Sequence, residues 1–413
     1  MTSSSFIELK LHFWLEAKSG NITELRKLYQ TAVAQNVTFE IINIQNKVGY
    51  SALAVSIIIG NIETAEYIID LGADVNAATS HKDTGFAGNT PLIQAAGLGY
   101  LSLINKLIER GAKVDATSED GIHALYQAAQ NGHLEIVKIL ATKDPNVVDL
   151  RGYLGRTPLT VAAQFGHLSI VNYLTSLPQT NIDSQDNDRN TPLILGAYNN
   201  QTNIVENLLE KGANASLKDN TGNTALYWTA QLGYINIVKL ITEKDPSVAN
   251  LTGFKGRTPL MKAAQNGHLN IVKYLLSLPQ NQLDSQDDNG DTAFILAIAN
   301  NHLRVIQFLV QKGVNLTLND KDGGTPLITA AKFGYLNIVI YLSSLPQVKI
   351  DAQDNLGVTA LGWASFNNHP DVVEQLLKKG ADVSIKDNFG KTALDWAIFK
   401  SHTDVIKMFE QYT

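Results

Sequence analysis

A unit of 33 or 34 residues recurs along most of this 413-residue chain, after a first step of 39 residues. It opens with Gly-x-Thr-Pro/Ala-Leu or a variant, continues with paired small residues and a Gly, and ends in a polar connector. The opening recurs at eleven positions: Gly49, Gly88, Gly121, Gly155, Arg189, Gly222, Gly256, Gly290, Gly323, Gly357 and Gly390. A unit this short cannot bury its own apolar stripe, so successive copies must stack on one another.

Each part of the unit predicts one step of a helix–turn–helix hairpin. Thr157 followed by Pro158 is typical of an N-cap and a first helical residue, where the missing proline N–H costs nothing. Gly166 predicts a left-handed residue that ends this first helix. Apolar residues at helical spacing, as in 134–140, predict the second helix. Connectors rich in Asp, Asn and Gly predict projecting turns.

A longer period of three units lies over the short one. Residues 121–221 and 222–322 each span 101 residues and align unit by unit. In both blocks the first unit ends Lys-Asp-Pro, the second Leu-Pro-Gln and the third Lys-Gly. Residues 323–389 repeat only the second and third kinds, so we infer that a three-unit block was duplicated.

The unit resembles the ankyrin repeat. Two motifs carry this resemblance: Thr-Pro-Leu-x-x-Ala-Ala-x-x-Gly-His-Leu-x-Ile-Val-x-x-Leu, and the Gly-Ala-Asp-Val-Asn of Gly72–Asn76. The resemblance covers Gly49–Thr413. It implies an all-α solenoid of stacked helix–turn–helix units with projecting β-turn or hairpin fingers. We expect residues 1–48 to form an N-terminal helical cap, a diverged repeat. Residues 49–413 should form an array of eleven units, the last one a C-terminal cap.

One departure from the family pattern is systematic. The His that ankyrin repeats carry after Thr-Pro-Leu is absent, so we expect more apolar connections between units. The residues that stand there are Ala54, Ile93, Tyr126, Thr160, Ile194, Tyr227, Met261, Ile295, Ile328, Gly362 and Asp395.

Composition excludes several function classes. The net charge is −6 and there is no basic run of five or more residues, which argues against nucleic-acid binding. The absence of cysteine excludes disulfides, thiol catalysis and Cys-ligated zinc. The N-terminus lacks the pattern of a secretory signal peptide, and the apolar run Ala52–Ile59 is too short to span a bilayer. We therefore expect an intracellular, cytoplasmic protein without membrane insertion.

Candidate catalytic and ligand-binding residues have structural explanations. Six of the nine histidines occupy one repeat position at the helix–helix junction, while His12 lies in the cap and His123 replaces a motif Thr. His81 alone lies off the pattern, in the insertion 77–87. The Asp-rich stretch 284–290 lacks the spacing of a calcium-binding EF-hand loop. We expect no catalytic residues, no cofactor and no metal. An enzyme with a site grafted on the array or on the cap remains the alternative.

Binding sites are expected where the resemblance to ankyrin arrays implies them, on a concave palm of first helices and on connector fingertips. We define the palm as the second residue after each Thr-Pro/Ala-Leu and those three and four further on, which share a helical face. Its aromatic members are Phe165, Tyr198, Trp228, Phe333, Trp363, Phe366, Trp396 and Phe399. The fingertip candidates are Tyr153 and Phe254, with Phe86, Leu356 and Phe389 extending the row.

Two interpretations of the palm tryptophans stay open. Either they are exposed anchors for a partner, or their position is partly core and packs against the neighbouring unit. The first interpretation predicts that Phe366→Ala with Trp396→Ala weakens partner binding and leaves the melting temperature nearly unchanged.

The preferred function is a non-catalytic, monomeric scaffold for protein–protein interaction. A finer hypothesis is a secreted bacterial effector that acts in the cytosol of a eukaryotic host.

Overall fold

The computed structural model describes residues 3–47, 49–80, 87–280 and 282–412. Inter-residue contacts divide the chain into two compact units, residues 1–214 and 215–413. Over the described residues the secondary structure is helical without any strand, and three isolated antiparallel bridges pair Gln45 with Ser51, Thr117 with His123 and Gln353 with Thr359. The prediction of an all-α stack of helix–turn–helix units is confirmed.

The first compact unit holds thirteen α-helices within its described residues. They are α1 (Ser3–Ser19), α2 (Ile22–Ala34), α3 (Thr38–Ile42), α4 (Ala52–Ile59), α5 (Ile62–Asp70), α6 (Pro91–Leu98), α7 (Leu101–Glu109), α8 (Ala124–Asn131), α9 (Leu134–Lys143), α10 (Pro158–Phe165), α11 (Leu168–Leu174), α12 (Pro192–Tyr198) and α13 (Thr202–Glu210). The first helices α4, α6, α8, α10 and α12 pack side by side, and α5, α7, α9, α11 and α13 form a second row. Helix α1 packs on α4.

The second compact unit holds twelve α-helices within its described residues. They are α14 (Ala225–Leu232), α15 (Ile235–Lys244), α16 (Pro259–Gln265), α17 (Leu269–Leu275), α18 (Ala293–Ala299), α19 (Leu303–Gln311), α20 (Pro326–Lys332), α21 (Leu336–Leu342), α22 (Ala360–Phe366), α23 (Pro370–Lys378), α24 (Ala393–Phe399) and α25 (Thr403–Tyr412). Here α14, α16, α18, α20, α22 and α24 form the row of first helices, and each packs on the helix that follows it.

Local capping chemistry sets the helix ends as the sequence predicts. Thr258 is the N-cap of α16, and its side-chain oxygen accepts the backbone N–H of Met261 at 3.2 Å. Gly132 ends α8 with φ 86°, and a Cβ there would stand 2.8 Å from the ring of His167. Units without this glycine place Asn or Ser in the same left-handed conformation: Asn200, Asn301, Asn368 and Ser401.

In six units a histidine at the helix–helix junction joins the unit to the one before it. The Nε2 of His167 lies 2.8 Å from the carbonyl oxygen of Gln130, and the Nε2 of His302 lies 2.9 Å from that of Gln265. His133, His268 and His369 make the same contact through Nε2. His402 makes it through Nδ1, which lies 3.0 Å from the carbonyl oxygen of Ser365. Their predicted structural role is therefore supported by a specific bond to the preceding first helix.

The positions that lack the family's usual His are filled by packing. Ten of the eleven are buried, Ile295 and Tyr126 among them, whereas Asp395 is exposed. Asp395 instead completes a capping box with Thr392 at the start of α24. The core continues from there into the second helices, where residues such as Ile306 and Leu309 have no exposed surface.

Among the N-terminal helices, α1 packs on α4, the first helix of the row in the first compact unit. Phe13 and Ala17 of α1 are fully buried, and the indole N–H of Trp14 donates to the carbonyl oxygen of Tyr50 at 2.9 Å. We propose on this basis that residues 1–48 act as the N-terminal cap. The division into this cap and an array of eleven units over 49–413 stays a prediction.

Candidate functional site

The palm of α22 and α24 carries a run of aromatic rings in contact. The ring centroids of Trp363 and Phe366 lie 5.8 Å apart, those of Phe366 and Trp396 lie 5.2 Å apart, and those of Trp396 and Phe399 lie 5.8 Å apart, all edge-to-face. Phe389, on the connector before α24, adds a fifth ring 6.3 Å from Trp396. These five residues form the C-terminal aromatic cluster. Edge-to-face pairs at such distances are favourable beyond their burial.

Exposure divides this cluster into an inner and an outer part. Phe389 and Phe399 are 65% and 64% exposed, whereas Trp363, Phe366 and Trp396 are half-buried. The sequence places Phe389 with the fingertips, and the tertiary structure brings it against the palm. The connector and the palm helix therefore contribute to one surface.

Lysine side chains cover part of the same rings. The Lys400 ammonium stands 4.4 Å from the Phe366 ring centroid, and that of Lys391 stands 5.1 Å from the Phe399 ring centroid. Lys332 lies 4.5 Å from the Trp363 ring centroid. Cations over aromatic faces are attracted by the ring quadrupole. The rim of the cluster is therefore positively charged.

An apolar cavity of about 190 Å³ opens between the connectors and the palm of α22 and α24. Leu356, Val358 and Phe389 line it from the connectors. Trp363, Phe366 and Trp396 line it from the helices.

Each palm tryptophan is held by an aspartate nine residues earlier. The indole N–H of Trp363 donates to Asp354 Oδ2 at 2.7 Å, and that of Trp396 donates to Asp387 Oδ2 at 2.6 Å. Trp228 makes the same bond to Asp219 at 2.7 Å. The other carboxylate oxygen of each aspartate accepts two backbone N–H groups of its own connector. The tryptophans are therefore neither fully exposed nor core residues: they are half-buried and fixed in orientation.

In two other connectors the equivalent aspartate binds an arginine side chain instead of a tryptophan. Arg257 Nε binds Asp287 Oδ2 at 2.8 Å, and Arg156 Nε binds Asp186 Oδ2 at 3.0 Å. The residue nine positions after each of these aspartates is a leucine. One connector carboxylate therefore organises each of these turns. One of its oxygens accepts backbone N–H groups, and the other accepts a hydrogen bond from a tryptophan or an arginine side chain.

Asp320 occupies the same connector position, but the sequence supplies neither a tryptophan nor an arginine at the positions from which the other units donate. Its Oδ1 accepts the N–H groups of Asp322 and Gly324 at 2.9 and 2.7 Å, but nine residues on stands Thr329. The position of Arg257 is taken in this unit by Asp291. A cavity of about 540 Å³ opens here, lined by both carboxyl groups. Burial, with the neighbouring carboxylates Asp287 and Asp320, raises the pKa of Asp291 to about 6.

Asp291→Asn is expected to stabilise the second compact unit at pH 7 to 8. The folded-state pKa of Asp291 lies above its ordinary value of 3.8, so its ionisation opposes folding and stability falls as pH rises from about 4 to 6. Each pKa unit corresponds to 1.36 kcal/mol. Allowing for solvent screening, we expect a gain of about 1–2 kcal/mol at pH 7.5 and almost none at pH 4.

Urea unfolding at the two pH values measures this difference. Asp288→Asn is the matched control, because Asp288 is exposed in the same connector and its counterpart in the other block is already Asn187. An equal gain from Asp291→Asn at pH 4 and pH 7.5 would contradict the assignment.

The remaining predicted site residues are not members of the C-terminal aromatic cluster. Phe333 is half-exposed, stacks on Tyr335 with centroids 5.7 Å apart, and lines the larger cavity with Trp363. Phe165 and Tyr198 are half-exposed in the first compact unit, whereas Trp228 belongs to the second.

The two fingertip aromatics occupy equivalent short 3-10 turns. Tyr153 and Phe254 are half-exposed in the turns Tyr153–Gly155 and Phe254–Gly256. His81 and Phe86 lie outside the described residues.

Among the described residues, no group of three His, Asp or Glu side chains is placed to hold a metal ion. None of the helices described has both the length and the apolar character needed to cross a bilayer.

The family model for ankyrin repeats (three copies) matches overlapping stretches that together run from residue 14 to residue 411. These matches include almost every helix described above. The chain belongs to the ankyrin-repeat family. Membership indicates a protein-interaction scaffold, and the family is generally non-catalytic.

Curated relatives share parts of the array. The chain is 28% identical over 151 residues to the B-cell lymphoma 3 protein homolog of Mus musculus, covering 37% of this chain and 31% of that protein. It is 30% identical over 148 residues to the SMC5-SMC6 complex localization factor protein 1 of Homo sapiens, covering 35% and 13%. A 68-residue match at 34% identity to palmitoyltransferase AKR1 of Eremothecium gossypii covers 16% of this chain and 9% of that protein. The chain thus spans less than a third of the length of each of these relatives.

Proposed function

We propose that this ankyrin-repeat chain is a non-catalytic scaffold that binds a protein partner through the C-terminal aromatic cluster. The apolar cavity of about 190 Å³ within that cluster carries the proposal. Energetic hot spots of protein interfaces are rich in aromatic residues and lie in pockets from which water is excluded. Walls made only of Leu, Val, Phe and Trp side chains suit an aliphatic side chain of the partner.

The side chains at the centre of this surface are preorganised for binding. The bonds from Trp363 to Asp354 and from Trp396 to Asp387 fix both indoles, so little side-chain entropy is lost when a partner covers them. Only the outer rings, Phe389 and Phe399, are largely exposed. An ordered apolar centre inside a lysine rim has the layout of a protein interface.

Other predicted residues are proposed as additional contacts. Phe333 extends the surface along the larger cavity it shares with Trp363. Elsewhere, the half-exposed aromatics of the palm and fingertips are Phe165, Tyr198, Tyr153 and Phe254, and Trp228 is half-buried. We propose further that the scaffold acts as a monomer, and that it is a secreted bacterial effector that acts in the cytosol of a eukaryotic host. A translocation assay into host cells tests that role.

Phe389→Ala combined with Phe399→Ala is expected to weaken partner binding about tenfold or more. Both rings are mostly exposed, so their removal should leave the melting temperature nearly unchanged. Proteins retained from a eukaryotic lysate are quantified for wild type and variant, and the affinity of a retained protein is then measured with purified components.

Phe39→Ala is the control, because Phe39 is 69% exposed on α3 and lies outside the palm. Equal retention of every protein by the wild type and the double variant would overturn the proposed surface. Trp396→Ala is unsuitable as a binding probe. It removes the donor to Asp387, so we expect a loss of stability. The exposed-anchor interpretation instead predicts a nearly unchanged melting temperature for Phe366→Ala with Trp396→Ala.

A further inference from the structure

The larger cavity of the second compact unit, about 540 Å³ in volume, is lined by residues of α18, α20 and α22 and of the connectors before them. Four carboxyl groups line it: those of Asp291, Asp320, Asp322 and Asp354. The rings of Phe333 and Trp363 and the side chain of Lys332 also line it. This acidic cavity therefore combines a surplus of negative charge with aromatic surface.

An aspartate stands five residues before the N-cap threonine in six connectors: Asp186, Asp219, Asp287, Asp320, Asp354 and Asp387. Five of the six accept a side-chain hydrogen bond at Oδ2, two from arginine and three from tryptophan. Asp320 Oδ1 accepts its two connector N–H groups, but no side chain of the described residues donates to its Oδ2. Asp320 therefore keeps the acceptor that the other units pair with an arginine or a tryptophan.

Gly324 keeps the space beside this oxygen open. A Cβ at position 324 would stand 2.6 Å from Asp320 Oδ2, and Gly324 itself lines the acidic cavity. Of the eleven unit openings, this one alone has glycine directly before the N-cap. Asp320 is partly exposed, and its Oδ2 is not closed off from solvent. A ligand in the cavity can therefore reach this oxygen.

Asp291 brings a second carboxyl group to the acidic cavity. Its counterpart in the preceding unit is Arg257, which pairs with Asp287 at 2.8 Å, whereas Asp291 itself lies 3.8 Å from Arg257 Nη2. Burial raises the pKa of Asp291 to about 6, and the charges of Asp287 and Asp320 add to this rise. Arg257 and Lys321 oppose it. A further cation in the cavity would stabilise the ionised carboxylates.

Arg257 shows which cation suits a connector aspartate. Its guanidinium donates to Asp287 Oδ2 from Nε at 2.8 Å and to Gln265 Oε1 from Nη1 at 3.2 Å. A guanidinium is a planar fork of five N–H donors that also stacks on aromatic rings, whereas an ammonium is a compact point charge. The Phe333 ring, 49% exposed, offers such a face. Lys332 is exposed and its ammonium lies over the Trp363 ring, 4.5 Å from the centroid.

We infer that the acidic cavity binds the side chain of an arginine in a protein partner, with the guanidinium on the carboxylates of Asp320 and Asp291. The inference rests on the proposed scaffold function and names a second anchor of the same partner. Leu356 and Trp363 line both the acidic cavity and the apolar cavity of the C-terminal aromatic cluster. The arginine would therefore enter beside the aliphatic side chain proposed for the apolar cavity.

Titration with blocked amino acids tests the inference. Nα-acetyl-arginine N-methylamide is compared with the corresponding citrulline probe, which is neutral and of similar shape, and with the lysine probe. Binding to the full chain is followed by NMR on the indole N–H signal of Trp363, which lines the acidic cavity. We expect the arginine probe to bind about tenfold more tightly than the citrulline probe and about threefold more tightly than the lysine probe. Tighter binding of free arginine than of the blocked form would overturn the assignment to a partner's side chain.

Asp320→Asn is the matched variant. Its Oδ1 can still accept connector N–H groups, as Asn46 Oδ1 accepts that of Tyr50 at 2.9 Å, so the turn should be retained. Its affinity for the arginine probe should fall about tenfold, because a charged acceptor is lost. Asp288→Asn removes an exposed carboxylate that does not line the cavity, and should leave the affinity unchanged.

A pH series isolates the contribution of Asp291. Its carboxyl group is largely protonated at pH 5 and ionised at pH 7.5, so the arginine probe should bind about threefold or more weakly at pH 5. Asp291→Asn should remove most of this difference. An equal pH dependence in the wild type and in Asp291→Asn would contradict the role of this carboxylate.

Three results would each overturn the inference: equal affinity for the arginine and citrulline probes, no shift of the Trp363 signal at millimolar probe, or full affinity in Asp320→Asn. Phe389 and Phe399 do not line the acidic cavity, so Phe389→Ala with Phe399→Ala should bind the probe as the wild type does. If the probe fails to bind while that double variant still loses a lysate partner, only the arginine site is refuted. If the probe binds while the double variant retains every protein, only the C-terminal aromatic cluster is refuted.

Discussion

Asp287→Ala is expected to destabilise the second compact unit by about 3–5 kcal/mol. The Asp287 carboxylate is fully buried, binds the Arg257 guanidinium at 2.8 Å, and accepts the backbone N–H groups of Asn289 and Asp291 at 2.8 and 3.0 Å. Its removal leaves two connector amides without their acceptor and takes from the largely buried Arg257 its shortest carboxylate contact, so that only Asp291 at 3.8 Å remains as a charged partner. Loss of one partner from a buried ion pair is costly because the other charge remains desolvated.

Asp320→Ala is the matched comparison, since the equivalent Asp320 binds two connector amides but no arginine or tryptophan. We expect it to cost about 1–2 kcal/mol, the size of a lost capping interaction. Because repeat arrays can unfold in parts, urea unfolding should be accompanied by hydrogen exchange of residues 256–291. Equal losses in the two variants would show that the arginine contact adds nothing.

Acidification from pH 6.5 to 4 is expected to destabilise the first compact unit by up to about 3 kcal/mol through His123 alone. Burial lowers the pKa of His123 from 6.5 to about 4. The unfolded chain therefore binds the proton first as the pH falls, so stability is fully present above pH 6.5 and is lost towards pH 4.

The geometry explains why the ring stays neutral. His123 is the N-cap of α8, its Nδ1 accepts the backbone N–H of Tyr126 at 3.4 Å, and its Nε2 donates to the Leu150 carbonyl oxygen at 3.1 Å. A proton on Nδ1 would face the amide donor and remove the cap. His123→Thr restores the threonine of the other units and should abolish this part of the acid sensitivity.

Thermal or urea unfolding of the wild type and His123→Thr at pH 7.5 and pH 4 measures the effect as a difference between variants, because carboxylates contribute to both. His12→Gln is the control, since the His12 side chain is half-exposed on α1. Parallel losses in the wild type and His123→Thr would refute the assignment.

The repeat alone determined the helices of this ankyrin array. Thr-Pro openings, left-handed glycines and apolar spacing act within a few residues, so the ends of α10 and α16 follow from their own sequence. The duplicated block also showed which residues are equivalent, such as Arg156 and Arg257. The signal for the tryptophan contacts was present as an Asp nine residues before Trp in three units, but only the connector geometry gives that spacing a meaning.

Contacts between segments decided the rest, because they depend on how a connector folds back on its helix. Phe389 joins the palm since its turn lies beside α24, and Trp396 is half-buried because Asp387 holds its indole. Local periodicity determined where each helix lies in the chain, and packing across units determined which side chains remain available to a partner.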